Sequence, residues 1–161
     1  MPRRPVWFAL AVMIVVLDQL SKRAILSAFA PGERWALTGF FNLVLAFNKG
    51  AAFSFLAAAP GWQTPLFIVV AVVAIVVVSV LLLRSPADRL VRGGLALILG
   101  GALGNLIDRL RFGQVVDFLD FHLYGWHWPA FNVADSAITI GAGLLIVESL
   151  LHRGADGEHN R

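Results

Sequence analysis

The stretch TPLFIVVAVVAIVVVSVLLL, residues 64–83, runs for twenty residues without a charge or a glycine. A helix needs about 20 apolar residues to cross the hydrocarbon core of a bilayer. Inside that core, backbone polar groups are satisfied only in helices or closed barrels. A run this long and unalternating is a helix, not a barrel strand. Three further segments, about 6–26, 93–109 and 132–151, are long and apolar enough to join it. The chain is therefore expected to be a single integral membrane domain over residues 1–161, all-α, with four transmembrane helices. Composition agrees: 58% of residues are hydrophobic and only 14% charged, where a soluble domain carries about 25% charge.

The N-terminal segment imitates a secretory signal peptide, with Arg3 and Arg4, an apolar run and Ala28-Phe29-Ala30. Asp18 interrupts the run, Lys22 and Arg23 follow it, and Pro31 would open the mature chain, so retention as a helix is expected. Four spans put both termini on one side together with Arg84, Arg89 and Arg92, the side that basic loops make cytoplasmic. The net charge of +3 is spread out, with no basic patch interleaved with exposed aromatics, which argues against nucleic acid as a partner. Cysteine is absent. That excludes disulfides, thiolate metal sites, a Cys nucleophile and lipid attachment to the chain itself.

Two outer connections are expected, about 27–63 and 110–131. In the first, WALTGFFNLVLAFNKGAAFSF reads as short strands broken at Gly39 and at Asn48-Lys49-Gly50. The second contains the β-branched and aromatic GQVVDFLDF. It ends in YGWHWPAF, whose Tyr124, Trp126 and Trp128 suit a membrane interface. Gly113 and Gly125 are candidate hinges.

Polar residues gather at the outer ends of the spans. Asp18 and Lys22 are i, i+4 partners. Asn105, Asp108 and Arg109 share a helix face, and Asn132, Asp135 and Ser136 repeat that spacing. Gly100-x-x-x-Gly104 and Ala137-x-x-x-Gly141 permit close helix approach. Ionisable groups embedded in a membrane face the bundle interior and mark function. Three readings compete. In the first, Asp18–Lys22 and Asp108–Arg109 are structural ion pairs. In the second, Asp117 and Asp135, which lack cationic partners at helix spacing, form a two-aspartate hydrolase. Two close carboxylates share a proton, so one activates water while the other protonates the scissile carbonyl. In the third, the charges relay protons through a transporter or channel. The nearly pure apolar middle of the spans argues against a through-path. Neither a zincin motif nor a nucleophile elbow occurs. His122, His127 and Asp120 match no standard metal spacing.

The blocks DQLSK, FNKGAAFSF, GGALGNLIDR, VVDF and FNVADSAI, in this order, resemble lipoprotein signal peptidase, the type II signal peptidase family of bacteria. The resemblance covers residues 18 to about 141. It implies an aspartyl endopeptidase of the bacterial inner membrane, with both termini cytoplasmic and the site toward the outer face. Such an enzyme cleaves diacylglyceryl-modified prolipoproteins just before the lipidated Cys, uses no metal or cofactor, and is the target of globomycin-like inhibitors. Its partners are the substrate and membrane lipid. The catalytic pair maps onto Asp117 and Asp135. Supporting positions map onto Asp18, Lys22, Asn48, Asn105, Asp108, Arg109 and Asn132. Of these, Asn105, Arg109 and Asn132 are expected to orient the pair or the substrate. Asn48 is expected to hold the outer segment, and Asp108 to pin the loop that follows it. The resemblance also implies a small β cradle outside the membrane and a short helix in the second outer connection.

Overall fold

A computed structural model describes residues 4–49, 62–85 and 88–158. Four long helices and four strands alternate in the order α1 (Arg4–Ala28), β1 (Arg34–Ala36), β2 (Phe41–Asn48), α2 (Gln63–Arg84), α3 (Arg89–Phe112), β3 (Val115–Leu123), β4 (Trp126–His127) and α4 (Val133–Glu158). The helices run one to seven residues beyond the ends expected from apolarity, except that α4 starts one residue later, at Val133. In α3, capping residues and not the last apolar side chain set both ends. Asp88 accepts hydrogen bonds from the Leu90 and Val91 amides at the start of α3. Gly113 ends the same helix at φ 70°, a left-handed conformation that a side chain would strain.

Three helices, α2, α3 and α4, are long and apolar enough to cross a membrane. The more polar α1 carries Asp18, Lys22 and Arg23. Asp18 and Lys22 are buried, whereas Val12, Met13, Val16, Leu17 and Leu20 lie exposed on its outer surface. α3 is the inner helix of the bundle, in contact with α1, α2 and α4. Its glycines make that possible. A methyl group placed on Gly100 would meet the Ala11 carbonyl at 2.7 Å, and one on Gly104 the Asp18 carboxylate at 2.6 Å. On another face, Gly94 and Gly101 lie against the backbone of Gly141 and Ala134 in α4. The Gly100/Gly104 pair thus serves α1, and a second glycine pair serves α4.

The strands form one antiparallel sheet in the order β1-β2-β3-β4 at one end of the bundle. Ile25 of α1 and Phe29 just beyond it join Leu45, Val116 and Phe118 in an apolar cluster beneath it. A second cluster, around Ala11, Leu82, Leu95 and Leu99, packs the other end. The sheet meets the expectation of a β cradle. The short helix expected in the second outer connection is not formed. Val115–Leu123 and Trp126–His127 make a hairpin instead, turned through Tyr124 and Gly125 at φ 50° and 82°. β-branched and aromatic residues fit that pleat better than a helix. Gly125 is the turn residue the hairpin demands. The first outer segment is described as far as Asn48-Lys49, and the rest of FNKGAAFSF lies outside the described residues.

Candidate active site

Between the two apolar clusters lies a layer of buried polar side chains. Lys22 is 2% exposed, and its three ammonium protons are matched by three acceptors. Asp18 Oδ2 and Asp108 Oδ2 lie 2.8 Å away, and Asn105 Oδ1 lies 3.0 Å away. An ammonium donates and cannot accept. Asn105 must therefore turn its oxygen to Lys22 and its NH₂ outward, where it donates to Asp135 Oδ1 at 2.7 Å.

Asn132 is oriented by the same kind of reasoning. It precedes α4, and its Oδ1 accepts the Asp135 backbone N–H at 2.9 Å, an N-cap. Its NH₂ is left to donate to Asp117 Oδ1 at 2.7 Å. Asp18 reaches across from α1 and accepts the Ala134 N–H at 2.9 Å, satisfying a second open amide of that first turn. Asp117 and Asp135 are thus held from two elements, each by an asparagine whose amide has only one workable orientation.

Asn48 comes to Asp117 through a β-bulge. β2 pairs Leu43 with Leu119 but Ala46 with Asp117, so one extra residue sits between them on β2. Before the bulge, Asn42 shares the face of Asp120. After it, the phase is reversed and Asn48 shares the face of Asp117, to which its side chain hydrogen-bonds. Asn48 therefore serves the aspartate directly, beyond holding the outer segment. Asp108 does pin the following strand: its Oδ2 accepts the Val116 N–H at 3.1 Å. The structural reading offered an ion pair between Asp108 and Arg109; Asp108 pairs with Lys22 instead, because neighbours on a helix point about 100° apart. Arg109 lies over the Phe67 ring and within electrostatic reach of Asp135 and Asp117.

Asp117 is 2% exposed. Burial, and next the charge of Asp135, push its carboxyl up to about 7, against the opposing pull of Asn48, Asn132 and Lys22. Such a group holds its proton near neutrality and can give it up there. Asp135 opens on a groove of about 420 Å³ bordered by Trp128, Phe131, Ser136, Thr139 and Ile140.

Gln19, and the Asn42 and Arg34 partners of Asp120, escaped the sequence reading. Gln19 donates to Asp108 at 2.9 Å; the signal was a further polar residue within an apolar span. On the other face of β3, Asp120 accepts from Asn42 at 2.8 Å and from the His127 ring at 2.8 Å, with Arg34 at 3.3 Å. Burial opposes its charge, but the bonds from Asn42 and His127 outweigh that and hold Asp120 below the usual carboxylate range. Among the described residues no group of side chains is arranged to hold a metal ion.

An apolar helix bundle with two amide-held aspartates at one end, Asp117 buried and Asp135 partly buried, defines a membrane protein with paired carboxylates. The chain belongs to the signal peptidase II family, whose model matches residues 10–151. It is 61% identical over 144 residues to the lipoprotein signal peptidase of Ralstonia nicotianae, covering 89% of this chain and 83% of that protein. It is 59% identical over 150 residues to that of Burkholderia multivorans, covering 92% and 90%. Two solved bacterial membrane enzymes share the fold. One has a TM-score of 0.82 at 29% identity, covering 94% of this chain and 91% of that one. The other has a TM-score of 0.80 at 30% identity, covering 91% and 93%. The protein is thus an aspartic-type peptidase that removes signal peptides from prolipoproteins.

Proposed function

We propose that Asp117 and Asp135 are the catalytic pair of this peptidase and share one proton between them. The observation that carries this reading is the convergence of the two carboxylates from different elements, each on an oriented asparagine amide. The ionised member takes a proton from the attacking water. The protonated member donates to the scissile carbonyl oxygen as the tetrahedral intermediate forms, and the pair then returns a proton to the leaving amine. Arg109 adds positive charge near the developing oxyanion. Asn48, Asn105 and Asn132 keep the pair in register, while Asp18, Lys22 and Asp108 hold together the helices that carry it. No metal or cofactor takes part.

The substrate is a prolipoprotein already bearing a diacylglyceryl group, cut just before the modified Cys. The groove beside Asp135 is mainly apolar and continues along α4, which suits a peptide delivered laterally through lipid. Globomycin-like cyclic peptides would compete for the same place. α1 is the fourth span. Its 25 residues reach about 37 Å at 1.5 Å per residue, and its buried charges leave an apolar surface to the lipid. The enzyme sits in the bacterial inner membrane with both termini cytoplasmic and the pair toward the outer face.

The test is cleavage of a purified prolipoprotein with and without its diacylglyceryl group. Wild type should cut the modified form alone. Asp117→Asn and Asp135→Asn should be present in the membrane and lose at least about 10³-fold in turnover, as expected when one member of a coupled acid–base pair is removed. Near-normal turnover by either variant would move the chemistry to other residues.

A further inference from the structure

A second groove, of about 540 Å³, lies on the sheet, lined by Phe40, Phe121, Leu123 and Trp126 and ending at Trp128 and Phe131. Those last two residues also border the groove that opens on Asp135. The two grooves therefore share a wall. One follows α4 past the exposed Thr139 and Ile140 along the outside of the bundle. The other follows β3 outward from Asp117 to Leu123, six residues and about 20 Å at 3.3 Å per residue.

The outer groove rests on a held frame. His122 stacks on His127 at 4.9 Å, and His127 is tied to Asp120 at 2.8 Å. Arg34 Nη1 lies 3.4 Å from His127 Nε2. Because Arg34 only donates, the ring presents an acceptor to it and gives its Nδ1–H to Asp120. This bonding spans all four strands. Phe131 is in turn fixed by reciprocal backbone bonds with Leu119 at 2.8 and 3.1 Å. The groove is thus preformed, which lowers the ordering cost of a peptide that lies in it.

Resting on the assignment of Asp117 and Asp135 as the catalytic pair, we infer that the outer aromatic groove binds the mature side of the substrate, the first residues after the lipidated Cys, as an extended chain. The argument is directional. A prolipoprotein is cut where a membrane-embedded signal peptide ends and a water-soluble chain begins. The signal peptide belongs to the groove that runs along the lipid-facing side of α4. The remaining chain must leave by the other side of the scissile bond, and the outer groove starts there. Its apolar lining favours apolar or aromatic side chains over glycine and serine at those positions.

The test uses two lipidated substrates: one with its native mature segment, one with residues two to six after the Cys replaced by Gly and Ser. Enzyme variants Leu123→Ser and Trp126→Ser alter exposed residues that make no contact with the aspartates. For the native segment, each variant should raise KM roughly tenfold, the scale of burying one large apolar side chain, with kcat unchanged. Wild type should show the same rise on the Gly/Ser substrate, and the variants should add nothing further there. A photo-crosslinker at the fourth residue after the Cys should label the β3–β4 hairpin of the inactive Asp117→Asn enzyme. If the variants impair both substrates equally, the hairpin seats the protein in lipid or supports its folding, and the inference fails. If KM is unchanged and the crosslink falls elsewhere, it fails as well. Full turnover by Asp117→Asn would instead overturn the catalytic assignment, an outcome read separately.

Discussion

Asp117 occupies the position with the sharpest pH consequence. Its carboxyl is raised from 3.8 to about 7, by burial first and by Asp135 next. The folded protein therefore binds that proton more tightly than the unfolded chain does. The stability this contributes is fully present below about pH 4 and is lost as pH rises through about 7. Tm measured across that range should fall for wild type and fall less for Asp117→Asn. On the proposed pairing, the same titration predicts that kcat/KM declines above about pH 7, where the shared proton is lost. At this scale the sequence was highly legible. Nine polar residues in five motifs could be picked out because charge in an apolar span is rare and costly. Their partners were less legible. Asp108 turns to Lys22, 86 positions away in the chain, and not to its neighbour Arg109. Arg34 and His127 lie 93 positions apart. Such pairings depend on how the helices and strands are brought together, which spacing along one segment does not report.

Helix α3 is the element on which the site is assembled. Gly100 and Gly104 bring α1 close, and Gly94 and Gly101 bring α4 close, so that Asn105 comes within hydrogen-bond range of both Lys22 and Asp135. Gly104→Ala places a methyl 2.6 Å from the Asp18 carboxylate. Overpacking of this kind should cost about 1–3 kcal/mol and reduce both thermal stability and turnover. Gly143→Ala is the matched control. It meets nothing within 4 Å and should be neutral or slightly stabilising, because alanine favours helix over glycine by about 1 kcal/mol. Melting curves of the two purified variants check both outcomes. The glycine-rich character of α3 was readable from the chain, and Gly100/Gly104 was identified as a contact. The β2 bulge was not. It depends on pairing with a strand more than seventy residues later, and without it the alternation of β2 would point Asn48 away from Asp117.

The whole molecule is an apolar bundle with its buried carboxylates concentrated at one level. Topology follows from that arrangement, and the absence of cysteine makes it testable with single introduced thiols. Tyr124 is fully exposed at the hairpin turn, and Arg89 is exposed at the opposite end of the bundle. A membrane-impermeant thiol reagent should label Tyr124→Cys once the outer membrane is opened. Arg89→Cys should react only after the inner membrane is breached. The reverse pattern would place the aspartates on the cytoplasmic side.

Asp18 on α1 caps the first turn of α4, and Asn105 on α3 holds the aspartate that α4 carries. Helix α4 is the last of the four in the chain. On the proposed pairing, a chain whose α4 has not yet docked has Asp117 without Asp135, and Asn132, which orients Asp117, is not yet in place. The proposed pair therefore forms only when α4 packs onto α3.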